Sequence, residues 1–468
     1  MPLPSHVIDE IKSIVGSANI IESYVEKLPY RSDASPFIGE IPELVVLPRT
    51  PEEISRILTL CNEYRIPVVP RGGGTSLTGA SVPVKNSIVI SLLRLNDVLE
   101  ISPGDNYVLA EAGVRLDDLN MKLRSFNYFF PPDPGSSLGA TIGGIIATNA
   151  GGLTGAKFGV VKDWVLGLQV VLPTGEIIWV GNKTLKHNIG YDLTSLFIGS
   201  EGTLGIVTKA YLKIWPLPEK VARIVAFYED IESVGNVVVE LKKNGITPFI
   251  AELIDKNYMR LLRGKVEVKL PSGDFHTLMI DIDVPPEAIE RYSRRVIDIM
   301  SRFKPLDVLY TSDPEEMERL RTIRKTAGSI LLLMREKSGQ ATITSDVVVP
   351  PSKLAEFLKE TEKLIEESKR LAPILGHVGD GNIHADIFTD FSDPEDIKRS
   401  MELNEKIAIL SLKYGGSVSA EHGIGLEKRE LLVKEYQFRK SEKALELMKN
   451  IKKIFDPNNI MNPTKMFL

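Results

Sequence analysis

At 468 residues, with 43% hydrophobic and 25% charged side chains, the chain has an ordinary globular make-up and is too long for one core; at roughly 150 residues per domain it should divide into two or three. A formal net charge of −5, from 57 Lys and Arg against 62 Asp and Glu, excludes the basic footprint of a nucleic-acid binder. The single Cys61 excludes a disulfide framework, a Cys-x-x-Cys motif and a self-supplied iron–sulfur cluster, and points to a reducing compartment. No apolar stretch approaches ~18 residues, and the start lacks a basic then apolar leader. The expectation is a cytoplasmic protein without a transmembrane segment, with contact at a membrane surface left open.

In chain order, Val7, Ile8, Ile11, Ile14, Val15, Ile20, Ile21 and Val25 predict helix over 5–28, within a leader assigned to 1–39. Leu44–Leu47 reads as a strand. Thr50-Pro51-Glu52-Glu53 then starts a helix over 51–65, with Thr50 as N-cap, Pro51 at the first turn and Glu53 at the capping-box position. Strands follow at 67–70, 88–92 and 107–112, with a helix over 116–125. Further strands are expected at 168–172, 176–180 and 206–214, before Trp215-Pro216-Leu217-Pro218 breaks the pattern and marks a domain boundary. Beyond it, strands such as 222–228 alternate with amphipathic helices at 231–244, 286–303, 313–334 and 351–370, the signature of an antiparallel α+β domain. A helical tail over 398–455, interrupted near Glu421, closes the chain.

Glycine runs mark one region. Pro70-Arg71-Gly72-Gly73-Gly74-Thr75-Ser76 follows directly on a strand, where successive backbone N–H groups can converge into an anion nest. No Gly-Lys-Ser/Thr follows, and the Gly-x-Gly-x-x-Gly spacing fails, so neither a Walker loop nor a Rossmann fingerprint is present. Thr141-Ile142-Gly143-Gly144, Asn149-Ala150-Gly151-Gly152 and Gly199-Ser200-Glu201-Gly202-Thr203-Leu204-Gly205 repeat the signal. Such runs suit a domain that lines a long, thin ligand.

Histidine is concentrated too. Three of the six lie in His377-Val-Gly-Asp-Gly-Asn-Ile-His384 and Glu421-His422. Asp380-Gly381 predicts a two-residue type I′ hairpin loop, which would set His377 directly opposite His384, with Cβ atoms about 5 Å apart. Two imidazoles at that distance can share one ion, and Glu421 would complete a His₂Glu set with a position left open for catalysis.

Together with Pro131-Pro132-Asp133-Pro134-Gly135, Ala420-Glu421-His422-Gly423-Ile424-Gly425 and the terminal Asn462-Pro463, these motifs resemble the FAD-linked oxidase family with a vanillyl-alcohol-oxidase (PCMH) type flavin domain. Within it they resemble the group of the glycolate oxidase large subunit, D-lactate dehydrogenase and D-2-hydroxyglutarate dehydrogenase, over about residue 40 to Lys465. The resemblance implies an α+β protein. A two-subdomain FAD-binding domain would occupy 40–217, an antiparallel-sheet α+β substrate or cap domain 218–410, and a C-terminal helical segment returning to the flavin 411–468.

The resemblance also implies site residues. Arg71, Gly72, Gly73, Gly74, Thr75 and Ser76 would hold the FAD pyrophosphate. Pro132, Asp133, Gly135, Thr141, Gly143 and Gly144 would line the adenine, ribose and ring, and Ile206 and Val207 the adenine side. Asn149, Gly152, Glu201 and Gly202 belong to the same lining, and Asn462 would reach the flavin from the chain end. The FAD should be non-covalent, because Thr75 stands where relatives with a covalent flavin have His. His377, His384 and Glu421 would bind one divalent ion, Zn or Mn, with Asn382 orienting a ligand. His422 would be the general base, and Arg324 would hold the carboxylate of a small 2-hydroxy acid. Gly328 and Thr344 replace a threonine and a lysine of the hydroxyglutarate pattern, which favours D-lactate, D-2-hydroxybutyrate or glycolate. Electrons would leave to a quinone, a cytochrome or a partner subunit, and a homodimer is compatible. Two alternative readings of the same fold are an alkylglycerone-phosphate-synthase-like transferase and a non-catalytic electron-relay flavoprotein.

Overall fold

A computed structural model describes residues 3–338 and 341–467. Two compact units emerge. The first comprises the chain up to Gly151, Val160–Leu217 and the segment from Glu421 onward; the second comprises Gly152–Gly159 and Pro218–Ala420.

The first unit holds two main sheets. In one, Leu44–Val46 and Val68–Arg71 each pair in parallel with Ile88–Ser91, and Ile20–Ile21 adds an antiparallel edge. The helix Pro51–Glu63 joins the two outer parallel strands. It buries Ile54, Ile57, Leu58 and Cys61, a spacing that places them on one face. Thr50 Oγ1 accepts from the Glu53 N–H at 3.1 Å, and Glu53 reaches back to the Arg49 N–H at 2.6 Å, one residue before the expected partner. The other sheet is antiparallel, in the order Val98–Ser102, Tyr107–Glu111, Ile206–Lys213, Val165–Val171, Ile177–Gly181.

The expected leader helix over 5–28 is corrected. It stops at Val15, where Gly16 turns to φ 81°, and Ile20–Ile21 pairs with Val45 and Val46. Adjacent β-branched residues bury better as an edge strand than on a helix surface. Residues 3–39 are therefore part of the first unit rather than a separate leader. The expected boundary at 410/411 also moves, to Ala420/Glu421. From there the chain end returns to the first sheet: the Val68 N–H donates to the Ile460 carbonyl and the Asn462 N–H to the Val68 carbonyl, both at 2.7 Å.

The second unit is built on one seven-stranded antiparallel sheet. Its order is Asp307–Thr311, Val221–Tyr228, His276–Asp283, Ile250–Ile254, Ile374–His377, Asn382–Thr389, Ala341–Val348. The helices Lys256–Leu262 and Pro314–Ser338 pack on one face of it. Leu320, Ile323, Ala327 and Ile330 join Val225, Phe227, Ile254, Met279 and Leu375 in a buried apolar cluster. Gly152–Gly159 groups with this unit through the Lys157–Asp283 ion pair at 2.5 Å and the Phe158–Phe249 edge contact at 5.9 Å. Gly152, expected at the flavin, opens this excursion.

Candidate active site

In the first unit, the strand Val68–Arg71 delivers Gly72-Gly73-Gly74 against the start of the helix Ile142–Thr148. A Cβ on Gly72 would fall 2.2 Å from Thr141 Oγ1, and one on Gly73 1.8 Å from the Gly139 carbonyl, so neither position admits a side chain. Runs far apart along the chain thus lie together. Gly143 is small for a different reason, since its Cβ would meet that of Ala112 at 2.8 Å.

Several side chains assigned to the cofactor are turned elsewhere. Arg71 donates to the Ser32 carbonyl at 2.8 Å and lies over the Tyr30 ring. Ser76 Oγ accepts from the Ala80 N–H at 3.2 Å, and Asn149 Oδ1 from the Lys162 N–H at 2.9 Å. Ile206 points into the apolar core. Gly135 is exposed, with open space where its Cβ would be. At Arg71, Ser76 and Asn149 part of the side chain's hydrogen-bonding capacity is thus taken by the protein itself.

Glu201, also assigned to the cofactor lining, has a structural task for its carboxylate. Its carboxylate accepts from the N–H groups of Ile424 and Gly425 at 2.6 and 2.8 Å, so it braces the Glu421–Gly425 loop. Burial pushes its pKa up to about 7, opposed by those N–H groups and by the charges of Lys465 and Lys428. The His422 carbonyl accepts from Thr78 Oγ1 at 3.2 Å and the Leu426 N–H donates to the Thr78 carbonyl at 2.8 Å, tying the loop down further. The Glu421 carboxylate lies where a Cβ on Gly151 would come within 2.7 Å.

Asn462 supplies a test of fit for FAD. Its Nδ2 donates to the carbonyls of Ala80 and Glu201 at 2.8 and 2.7 Å, while its buried Oδ1 has no partner among the described residues. A buried acceptor without a donor is costly, and a flavin ring N–H is a donor that would satisfy it. The residues present fit the cofactor.

In the second unit, His377 pairs with Asn382 rather than His384. The loop is four residues long: Gly381 has φ 91° but Asp380 does not have the positive φ that a type I′ turn requires at both central positions. The Gly381 carbonyl accepts from the Val349 N–H at 3.1 Å, and Asp380 Oδ1 accepts from the Asn382 N–H at 3.2 Å. These contacts outweigh the two-residue turn. The register is out by two residues, and because strand side chains alternate with period 2, both imidazoles still share a face. His384 stands opposite Leu375, diagonal to His377, with ring centroids 5.3 Å apart.

Cross-strand pairing extends this into a polar row. Glu252 is opposite His377, and Asp346 opposite His384. His377 Nδ1 lies 2.5 Å from Glu252 Oε1, and His384 Nδ1 3.8 Å from Asp346 Oδ1. Asn382 Nδ2 donates to Asp346 Oδ1 at 3.1 Å, so it orients that carboxylate. Asp346 Oδ2 accepts from Ser419 Oγ and the Ala420 N–H, each at 3.2 Å, and the next residue of the chain is Glu421.

A carboxylate can only accept, so Glu252 makes Nδ1 of His377 the protonated nitrogen and leaves Nε2 able to ligate. This is the usual support of a metal-binding histidine. The ligand atoms of His377 and His384 lie within 4.8 Å of one another. Imidazoles with carboxylates suit zinc or manganese, and the donors present fit such an ion.

Arg324, on the helix over this face, donates from Nε to Glu252 Oε2 at 2.6 Å; its Nη groups have no hydrogen bond among the described residues. Burial alone would raise the Glu252 carboxyl, but its pairing with the His377 N–H and the Arg324 guanidinium outweighs it and holds the group below its usual range. Nearby, Asp386 accepts from Tyr258 Oη at 2.5 Å and Thr344 Oγ1 at 2.7 Å. The surroundings of Gly328 lie outside the described residues.

Glu252 has no counterpart among the residues singled out in the sequence. Its one signal is a lone acid inside Ile250-Ala-Glu-Leu-Ile254, a strand that is otherwise apolar.

Comparison with known proteins matches residues 42–181 to an FAD binding domain and 217–466 to the C-terminal domain of FAD linked oxidases. The glycolate oxidase subunit GlcD of Bacillus subtilis (strain 168) is 35% identical, over 98% of this chain and 96% of its own. A D-lactate dehydrogenase of Archaeoglobus fulgidus is 33% identical, over 98% of both chains. Among solved structures, the 4-ethylphenol oxidase of Gulosibacter chungangensis superposes with a TM-score of 0.80 over 99% of this chain and 97% of its own; at 17% identity it speaks for the fold alone.

Proposed function

The chain belongs to the FAD-linked oxidase family, and we propose that it oxidises a small D-2-hydroxy acid, D-lactate or a similar monocarboxylate, to the 2-oxo acid. Bound FAD would accept the Cα hydride, and the electrons would pass to a quinone, a cytochrome or a partner subunit. His377, His384 and Glu421 would hold one divalent ion, Zn²⁺ or Mn²⁺, whose chemistry is to lower the pKa of a hydroxyl. His422 takes the hydroxyl proton. Arg324 clamps the carboxylate through its Nη edge, since Nε is committed to Glu252.

The observation that carries this reading is the row Glu252, His377, His384, Asp346 on one sheet face. An electron relay has no use for two adjacent histidines, one of them with its tautomer set by a buried carboxylate. The position of Thr344 supports a monocarboxylate. Its hydroxyl is donated to Asp386, so a second substrate carboxylate would meet an acid instead of a cation.

Anaerobic mixing with D-lactate, glycolate, D-2-hydroxybutyrate and D-2-hydroxyglutarate tests the reading. The flavin should bleach with the small monocarboxylates and lag with 2-hydroxyglutarate. A flavin that none of them reduces overturns it.

A further inference from the structure

Building on the assignment of His377 to the ion and Arg324 to the substrate carboxylate, we propose that Glu252 is a positioning residue that couples the two. It is fully buried in the middle of the sheet, and each of its oxygens takes one strong bond. Oε1 accepts from His377 Nδ1 at 2.5 Å and Oε2 from Arg324 Nε at 2.6 Å. The partners arrive from separate elements, a neighbouring strand in direct register and a helix above the face. One bond selects the tautomer whose Nε2 can bind metal. The other takes the inner edge of the guanidinium and aims its Nη groups at an incoming carboxylate.

No other side chain does both. Gln has a single acceptor oxygen, so one neighbour would face an N–H donor. Asp keeps both acceptors but draws them back by about one C–C bond, ~1.5 Å. A carboxylate whose only task is to neutralise buried charge would tolerate Asp at the site, as long as the fold survives.

The test uses the full-length protein with FAD bound. E252D should lower Zn²⁺ affinity, read by competition with a chromogenic chelator, by about 10- to 100-fold, and should also raise KM for D-lactate at least about tenfold with a smaller change in kcat. E252Q should lose at least one of the two by a similar factor. If E252D leaves either quantity within threefold of the parent, the coupling is overturned. Should E252D fail to retain FAD, E252Q decides, and the coupling falls if both quantities stay within threefold. H377A is measured alongside. Full metal retention there would sink the metal assignment itself, a result distinct from metal loss in H377A with none in E252D.

Discussion

His422 contributes to the structure through its carbonyl, which accepts from Thr78, and its neighbours Ile424 and Gly425 are held by Glu201. The main chain of the loop is therefore held by bonds that do not pass through the imidazole. H422N should fold and keep FAD and metal, yet reduce its flavin about 10²- to 10⁴-fold more slowly, the usual contribution of a general base; anaerobic stopped-flow with D-lactate reads this directly, and a rate within a few-fold of the parent would give the proton to another group. Thr344 leads to a two-part expectation. Asp386 would pair with a lysine introduced beside it, so T344K alone should leave kcat/KM for 2-hydroxyglutarate within a few-fold. Removing that acid as well, in T344K/D386N, frees the ammonium. One charge-assisted bond, about 1.5 to 3 kcal/mol, should then raise 2-hydroxyglutarate relative to D-lactate by about 10-fold or more. Steady-state ratios for the two acids settle it.

At the level of elements, the strand His276–Asp283 carries a buried imidazole at its first position. Burial pushes the His276 pKa down to about 3, helped by the charge of Lys256. Glu362 lies 3.4 Å from Nε2, but its carboxylate is taken by Lys256 Nζ at 3.1 Å, so it does not hold the ring charged. The sign follows from proton counting. Between about pH 6.5 and 3 the unfolded chain binds a proton at this histidine that the folded chain does not, so stability falls as pH drops through that window. H276Q should make the acid limb shallower by up to about 1.4 kcal/mol per pH unit. Urea unfolding at pH 7, 6, 5 and 4 measures the difference; parallel curves for parent and variant would refute it.

At the scale of the whole molecule, the cofactor should be released by acid. Neither Thr75 nor Ser76 is a flavin attachment residue, and the Ser76 hydroxyl is engaged with the Ala80 N–H. Acid precipitation should leave a colourless pellet and a yellow supernatant, and flavin retained in the pellet would contradict this. What the sequence determined alone is what depends on near neighbours along the chain. Thr50-Pro51-Glu52-Glu53 starts a helix because a cap acts within one turn, and the glycine runs mark places where backbone must pass close to something. The period of a strand put His377 and His384 on one face even though the turn was longer than Asp380-Gly381 suggested. Only the tertiary structure decided which strands lie side by side. Glu252 stands 125 residues from His377, and nothing local distinguishes it from any acid in a strand until register sets it against an imidazole and a guanidinium. The same holds for Glu201, whose motif suggested a ligand contact but whose carboxylate reaches 223 residues along the chain to Ile424. It holds too for Ile20–Ile21, which leave a helical pattern because Val45 and Val46 offer a better place to bury them. A buried polar side chain takes the partner that folding brings to it, and that choice is made by distant chain, not by adjacent sequence.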